Sequence, residues 1–263
     1  MTWVQNLLNE TYHAQRDFIG SSDIRRLLRS PAHFQTSSTF SSSAQEFGTL
    51  VHSCVLEPEA WAARCRVAPK HDKRTKEGKA IAEQLALQEQ TDGIKFVAED
   101  LFKQVELCSR NVLASVGPSG ILAGGMAEVS GFARDFFGID AKIRPDYLRG
   151  DLIVDLKTTQ DARPDAVLRS VMNYQYHVQA SYYLSVAEAI DGKSRSFIWV
   201  FVEREAPFGV QVYEPSEAML SNGWALCNRA IESYRDCRDL DYYPGYSSNI
   251  HKLELPRWHS EEI

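Results

Sequence analysis

The stretch RPDYLRGDLIVDLKTT, Arg144 to Thr159, decides how the chain is read. Gly150 and Asp151 sit between two apolar runs and suit a tight hairpin turn. Folded about that turn, the segment sets Asp146 opposite Asp155, because the two lie equally far from it. Lys157 falls two residues further along the same face. Like charges across an antiparallel pair repel, and a carboxylate inside LIVDL is costly to bury, so the pairing persists only with something cationic between the acids.

Upstream, EVSGFARDFFGIDAKIRPDYL reads as two strands joined by a three-residue loop, Phe136, Phe137 and Gly138. That register puts Glu128 opposite Asp146, so Glu128, Asp146 and Asp155 line up across three adjacent strands; a single β-bulge would spoil the alignment. Downstream, RPDAVLRSVMNYQYHVQASYYLSVAEAI predicts one helix from near Pro164, with Gln179 and Tyr183 four apart on one face. SFIWVFVER and GVQVYEP predict two more strands, and PSEAMLSNGWALCNRAIESYRDC a long amphipathic helix.

The N-terminal half reads as helical. In SSDIRRLLRSPAHF, Ser21 or Ser22 can cap a short helix that ends near Pro31, with Arg25 and Arg29 on one face. TSSTFSSS reads as a mobile loop, and the basic run containing Lys73, Arg74, Lys76 and Lys79 leads into a helix, IAEQLALQEQ. A further helix is expected from about Glu99 to Val116. Helices, strand meander, helix, strands and helix together predict an α/β (α+β) chain with a central sheet flanked by helices. No repeat or linker divides its 263 residues.

Composition bounds the function. Five cysteines with no C-x-x-C pair argue for a reducing compartment and against a disulfide framework or zinc ribbon. No signal peptide and no apolar run near 18 residues is expected, so the protein is read as cytoplasmic, with no membrane partner. A net charge of -6 speaks weakly against a nucleic-acid partner, but local patches matter more than the total, and a carboxylate-built metal site itself adds negative charge. Clustered acids on a rigid sheet, with a backbone carbonyl nearby, suit Mg²⁺ or Mn²⁺, which prefer oxygen ligands. Lys157 beside such a cation could hold or help deprotonate an attacking water, or stabilise charge on a phosphoryl group.

R-P-D, eight residues, then D-L-K-T-T resembles the core of the PD-(D/E)xK nucleases, with their restriction-endonuclease-like fold around a central mixed sheet. The extended pattern is similar to the C-terminal nuclease of RecE (exonuclease VIII) and its phage relatives, which share a fold with lambda exonuclease. SPAHF at residues 30 to 34, GTLVH at 48 to 52, RTKEGKA at 74 to 80 and NYQYHVQASYYL at 173 to 184 carry it over most of the chain. The resemblance implies that Asp146, Asp155, the Leu156 carbonyl and His52 bind metal, with two Mg²⁺ or Mn²⁺ ions per site. It implies that Lys157 is the catalytic lysine, that Glu128 holds a second metal or the water, and that Gln179 and Tyr183 form the Q-x-x-x-Y of that branch.

For Ser22 and Arg25 the expectation is a pocket for a 5′ phosphate, since a helix N-terminus and a guanidinium suit a dianion. The run with Lys73, Arg74, Lys76 and Lys79 is expected to contact DNA phosphates. The resemblance further implies 5′-to-3′ digestion of one strand of linear duplex DNA, a ring of three or four copies, and a single-strand annealing protein of the RecT or Red beta kind as partner, in a phage or prophage setting. It also implies one nuclease domain over residues 1 to 263: a helical part to about 120, a core to about 240 and a C-terminal tail. The competing readings are an endonuclease of the same core and a DNA-binding module with a decayed site. An iron-sulfur relative is disfavoured, because only Cys227 and Cys237 lie near the C-terminus.

Overall fold

The structure, a computed structural model, describes residues 1–36, 43–72 and 74–254. Lys73 and most of the TSSTFSSS loop lie outside the described residues. The chain opens with β1 (Thr2–Val4), α1 (Asn9–Ala14), α2 (Ser21–Arg29) and α3 (Pro31–Gln35). Neither Ser21 nor Ser22 caps α2. Gly20 takes that place in extended backbone, and the Asp23 carboxylate accepts its N–H at 2.8 Å, half of a capping box. Ile24 and Leu27 are buried one turn apart, and Ser30 starts the next helix with Pro31 in its first turn.

Next come α4 (Ser43–Leu56), α5 (Pro58–Arg64), β2 (Cys65–Val67), α6 (Lys76–Asp92), β3 (Lys95–Val97) and α7 (Glu99–Val116). The last matches its expected bounds. α6 starts earlier than the apolar pattern suggests, because Thr75 caps it by accepting the Gly78 N–H at 3.0 Å. A Cβ on Gly78 would stand 1.9 Å from the Asp72 carbonyl oxygen, so the glycine of RTKEGKA is required by the close approach of two backbones.

The meander follows as β4 (Met126–Ala127), β5 (Ser130–Phe136), β6 (Ile139–Ile143), β7 (Tyr147–Leu148) and β8 (Leu152–Thr159). Tyr147 pairs with Val154 and Leu148 with Ile153, which carries Asp146 opposite Asp155 as expected. Met126 pairs with Leu148 and Ala127 with Tyr147, and the Glu128 N–H donates to the Asp146 carbonyl at 3.0 Å, so the alignment with Glu128 holds too. The route differs from the expected one. Phe136 pairs with Ile139, leaving a two-residue turn in which Phe137 and Gly138 both have positive φ. A bulge between Ala133 and Phe136 then restores the register, so the shorter turn and the extra residue cancel.

The predicted continuous strands are also interrupted, and the meander is shared between two sheets. Pro145 has no N–H to give a ladder, and Glu128 adopts φ 48°, so pairing lapses on both strands at the same level. The Arg144 guanidinium bridges the lapse, donating to Ser130 Oγ at 2.9 Å and to the Leu7 carbonyl at 2.9 Å. β1, β5 and β6 form one sheet on one side of it.

The remaining elements are α8 (Pro164–Asn173), α9 (Tyr176–Asp191), β9 (Ser196–Glu203), β10 (Val210–Tyr213) and α10 (Glu217–Leu240). The single helix expected from Pro164 is two, broken where Gln175 turns left-handed at φ 55°, ψ 41°. The central sheet runs β10-β9-β8-β7-β4, with β8 and β9 parallel and the other pairs antiparallel, a mixed sheet flanked by helices. β8 is buried on both faces, as its run of apolar residues requires. Leu152, Val154 and Leu156 pack with Val51 of α4 and Val105 of α7, while Ile153 packs with Val178 of α9 and Ile24 of α2. Among the described residues no helix is long and apolar enough to cross a membrane.

Candidate active site

Strand β8 and its two flanking helices bring the site together. Asp155 and Lys157 alternate with Leu156, so they share the face that looks toward α9, and Leu156 turns its side chain into the opposite core. Asp155 is completely buried. Its Oδ1 accepts from Gln179 Nε2 at 3.1 Å, and its Oδ2 lies 2.6 Å from Lys157 Nζ. Burial drives the Asp155 carboxyl up to about 6, with the Lys157 charge opposing that rise. Burial also works against the Lys157 ammonium, but the charges of Asp155 and Asp146 outweigh it and hold its pKa above the ordinary lysine value. The lysine is therefore a cation in this arrangement, suited to donating rather than to removing a proton.

Asp146 enters from the β7 side, where its Oδ2 accepts the Leu156 N–H at 2.7 Å. His52 comes from α4: Nε2 lies 2.7 Å from the Leu156 carbonyl oxygen and Nδ1 lies 3.6 Å from Asp146 Oδ2. Since Leu156 O is an acceptor, Nε2 carries the hydrogen, and a neutral ring then turns its Nδ1 lone pair toward a carboxylate. In that neutral form two acceptors face one another, and a cation between them would be held by both. The hydrogen bond from the other ring nitrogen to a backbone carbonyl is how metal-binding histidines are usually oriented.

Glu128 completes the group. Donor atoms of His52, Glu128 and Asp146 all lie within 4.8 Å of one another. Burial and then the Asp146 charge push the Glu128 carboxyl up to about 8, so without a cation one acid of the group keeps its proton at neutral pH. Two carboxylates, an imidazole and a free lone pair on the Leu156 carbonyl form a largely oxygen donor set, which fits Mg²⁺ or Mn²⁺. Asp155 is not part of this trio: its Oδ1 accepts from Gln179, and its Oδ2 is ion-paired with Lys157 but makes no hydrogen bond.

Gln179 and Tyr183 stand on one face of α9, as expected, and both act on neighbours of the cluster. Gln179 fixes Asp155, and the Tyr183 hydroxyl donates to the Arg144 carbonyl at 3.2 Å, steadying the R-P-D backbone. A cleft of about 1290 Å³ opens beside them, lined by His52, Lys157 and Arg25 among others. Ser22 does not line it and is exposed; Ser21, its buried neighbour, is the serine that hydrogen-bonds Tyr183. Arg74, Lys76 and Lys79 are exposed at the start of α6, outside the cleft lining, and Arg74 pairs with Asp72 at 3.2 Å.

Several cleft residues went unremarked in the sequence. Tyr176 places its ring 5.0 Å from Lys157 Nζ, and Arg169 and Arg204 line the walls. Tyr176 lies inside NYQYH and could have been picked out from that segment; the two arginines carry no motif. Among the described C-terminal aromatics, Tyr243 packs against Phe34 and the Tyr246 hydroxyl accepts from Arg29 at 3.0 Å. All five cysteines are buried and unpaired, and burial pushes Cys227 up to about 12.

A crystal structure from Eubacterium rectale, named "Putative exonuclease", matches over 98% of this chain and 99% of that one, with a TM-score of 0.59 at 14% identity, so the fold is shared. A phage related exonuclease from Haemophilus somnus 129PT aligns over 88% of this chain and 99% of that one, at a TM-score of 0.37 and 10% identity, too distant to carry an argument. No protein of curated function matches the chain in sequence. The family model described as a PDDEXK-like domain of unknown function (DUF3799) matches residues 20–256, a span that holds His52, Glu128, Asp146, Asp155 and Lys157. A chain with this mixed sheet, this D-x-K strand and that match belongs to the PDDEXK-like family DUF3799.

Proposed function

We propose that the protein is a metal-dependent exonuclease that digests one strand of linear duplex DNA from its 5′ end to mononucleotides and leaves a 3′ single strand. The observation that carries the nuclease reading is the meeting of His52, Glu128 and Asp146 beside a Lys157–Asp155 pair, with His52 and Lys157 lining a cleft. Strand direction, duplex preference, a ring of three or four copies and an annealing-protein partner rest on the resemblance of the sequence to RecE-like nucleases. The whole chain is read as one nuclease domain.

The reaction is phosphodiester hydrolysis: a P–O bond forms to water and the P–O bond to the leaving sugar oxygen breaks. Divalent cations, Mg²⁺ or Mn²⁺ and two per site, held by Asp146, Glu128, His52 and the Leu156 carbonyl with Asp155 adjacent, would acidify the water and neutralise phosphoryl charge. Lys157 presents its ammonium toward the cleft and stabilises the charge that builds on a phosphoryl oxygen. Asp155 holds that ammonium in place, and Gln179 holds Asp155. His52 keeps its orientation through the Leu156 carbonyl. Arg25 and the basic start of α6 supply phosphate contacts outside the reacting centre.

The test is digestion, in Mg²⁺, of linear duplex labelled at the 5′ or the 3′ end, beside a covalently closed circle. Early release of the 5′ label as mononucleotide with the circle intact is expected. Cutting of the circle would assign the site to an endonuclease, and early loss of the 3′ label would reverse the direction.

A further inference from the structure

We propose that Tyr174 is a base-stacking platform: its exposed ring holds the unpaired base of the nucleotide whose phosphate lies beside Lys157. This rests on the nuclease reading above. Tyr174 is 60% exposed, and it lines the same cleft as Lys157 and His52. The exposure is not looseness. Its N–H donates to the Ser170 carbonyl at 2.9 Å, and its own carbonyl accepts from Arg25 at 3.2 Å. Its ring lies over Tyr176, with centroids 5.6 Å apart and planes 30° from parallel, and Tyr176 in turn lies beside the Lys157 ammonium. The chain of contacts runs from solvent to Lys157 in two steps, through Tyr176.

The backbone accommodates this at a cost. Gln175 is a non-glycine residue in left-handed conformation, which breaks what would otherwise be one helix at the point where Tyr174 meets the cleft. Around it, Arg25, Arg169 and Arg204 line the walls. Guanidinium groups for the backbone and a fixed aromatic face for a base are the combination by which proteins hold single strands. On this proposal the base on Tyr174 is unpaired, and the cleft takes a strand end whose terminal pair has opened.

The test uses a duplex with a short unpaired 5′ end, carrying 2-aminopurine at successive terminal nucleotides, bound in EDTA so that cleavage does not intervene. Wild type and Tyr174→Phe are expected to quench the probe at one position, and Tyr174→Leu, which keeps bulk without a π face, to lose that quench. In Mg²⁺, kcat/KM of Tyr174→Leu is expected to fall about tenfold. On an end made abasic at that position, wild type and variant should become equal. Equal quenching by wild type and Tyr174→Leu, or the same loss on the abasic end, overturns the platform. A wild type that quenches at one position but cuts nothing overturns the nuclease reading and leaves the platform standing. Normal cleavage untouched by Tyr174→Leu does the reverse.

Discussion

The Asp146 carboxylate accepts the Leu156 N–H at 2.7 Å, so one acid of the candidate metal group is tied to the backbone between Asp155 and Lys157. The two halves of the D…D-x-K pattern are thereby one mechanical unit, and a displacement of either strand moves both.

Asp146→Asn keeps an acceptor for that N–H and removes only the charge. It is expected to fold with a melting temperature near wild type while losing at least about a hundredfold in cleavage. Asp146→Ala also strands the N–H and is expected to cost a further ~1–3 kcal/mol of stability by urea unfolding. An asparagine variant that cleaves normally would remove Asp146 from the metal group.

Gln179 is a positioning residue, because it touches Asp155 and not the cleft metal group. Gln179→Ala leaves Asp155 Oδ1 without its partner and is expected to lower cleavage about 10- to 100-fold, with part of the loss recovered at high Mn²⁺. Dependence of rate on metal concentration is the readout. A loss that metal cannot lessen would point to DNA binding instead.

Much of this geometry was legible in the sequence, and the reasons differ by element. The Gly150–Asp151 turn fixes the Asp146–Asp155 register by counting, and the register survives because a two-residue turn and a β-bulge offset each other upstream. The break at Gln175 was not legible: the apolar period runs on through it, and no glycine marks the left-handed residue. The grouping of His52 with Glu128 and Asp146 depends on how α4 packs on β8, which spacing along the chain does not encode. The cap of α2 was misread because Asp23 reaches back to Gly20, so the serines beside it are not needed.

Proton linkage gives a stability prediction. In the folded, metal-free protein Glu128 keeps its proton up to about pH 8, through burial and then the Asp146 charge, against an ordinary value of 4.5. Asp155, likewise raised by burial, does so up to about pH 6 against 3.8. Between those limits the folded state binds more protons than the unfolded, so stability falls as pH rises through them. The metal-free melting temperature is expected to be lower at pH 8.5 than at pH 5.5, with a shallower slope in Glu128→Gln. Mn²⁺ is expected to raise it more at the higher pH, since a cation replaces the lost protons. The same slope in Glu128→Gln would contradict this account.

Lys76 and Lys79 are exposed at the start of α6, and the proposed function has them meet DNA phosphates. Replacing both by Ala is expected to weaken DNA binding alike for all sequences and to reduce the salt slope, log K against log salt, by up to about 2. An unchanged slope would mark them as solvated surface.

The most direct test of the central claim compares wild type with Lys157→Ala on linear duplex DNA in Mg²⁺ and in EDTA, with DNA binding measured alongside. The account predicts Mg²⁺-dependent release of nucleotides by wild type, none in EDTA, and a variant that binds DNA but cleaves about a hundred- to a thousandfold more slowly. Cleavage that survives EDTA, or a Lys157→Ala variant as fast as wild type, would contradict it.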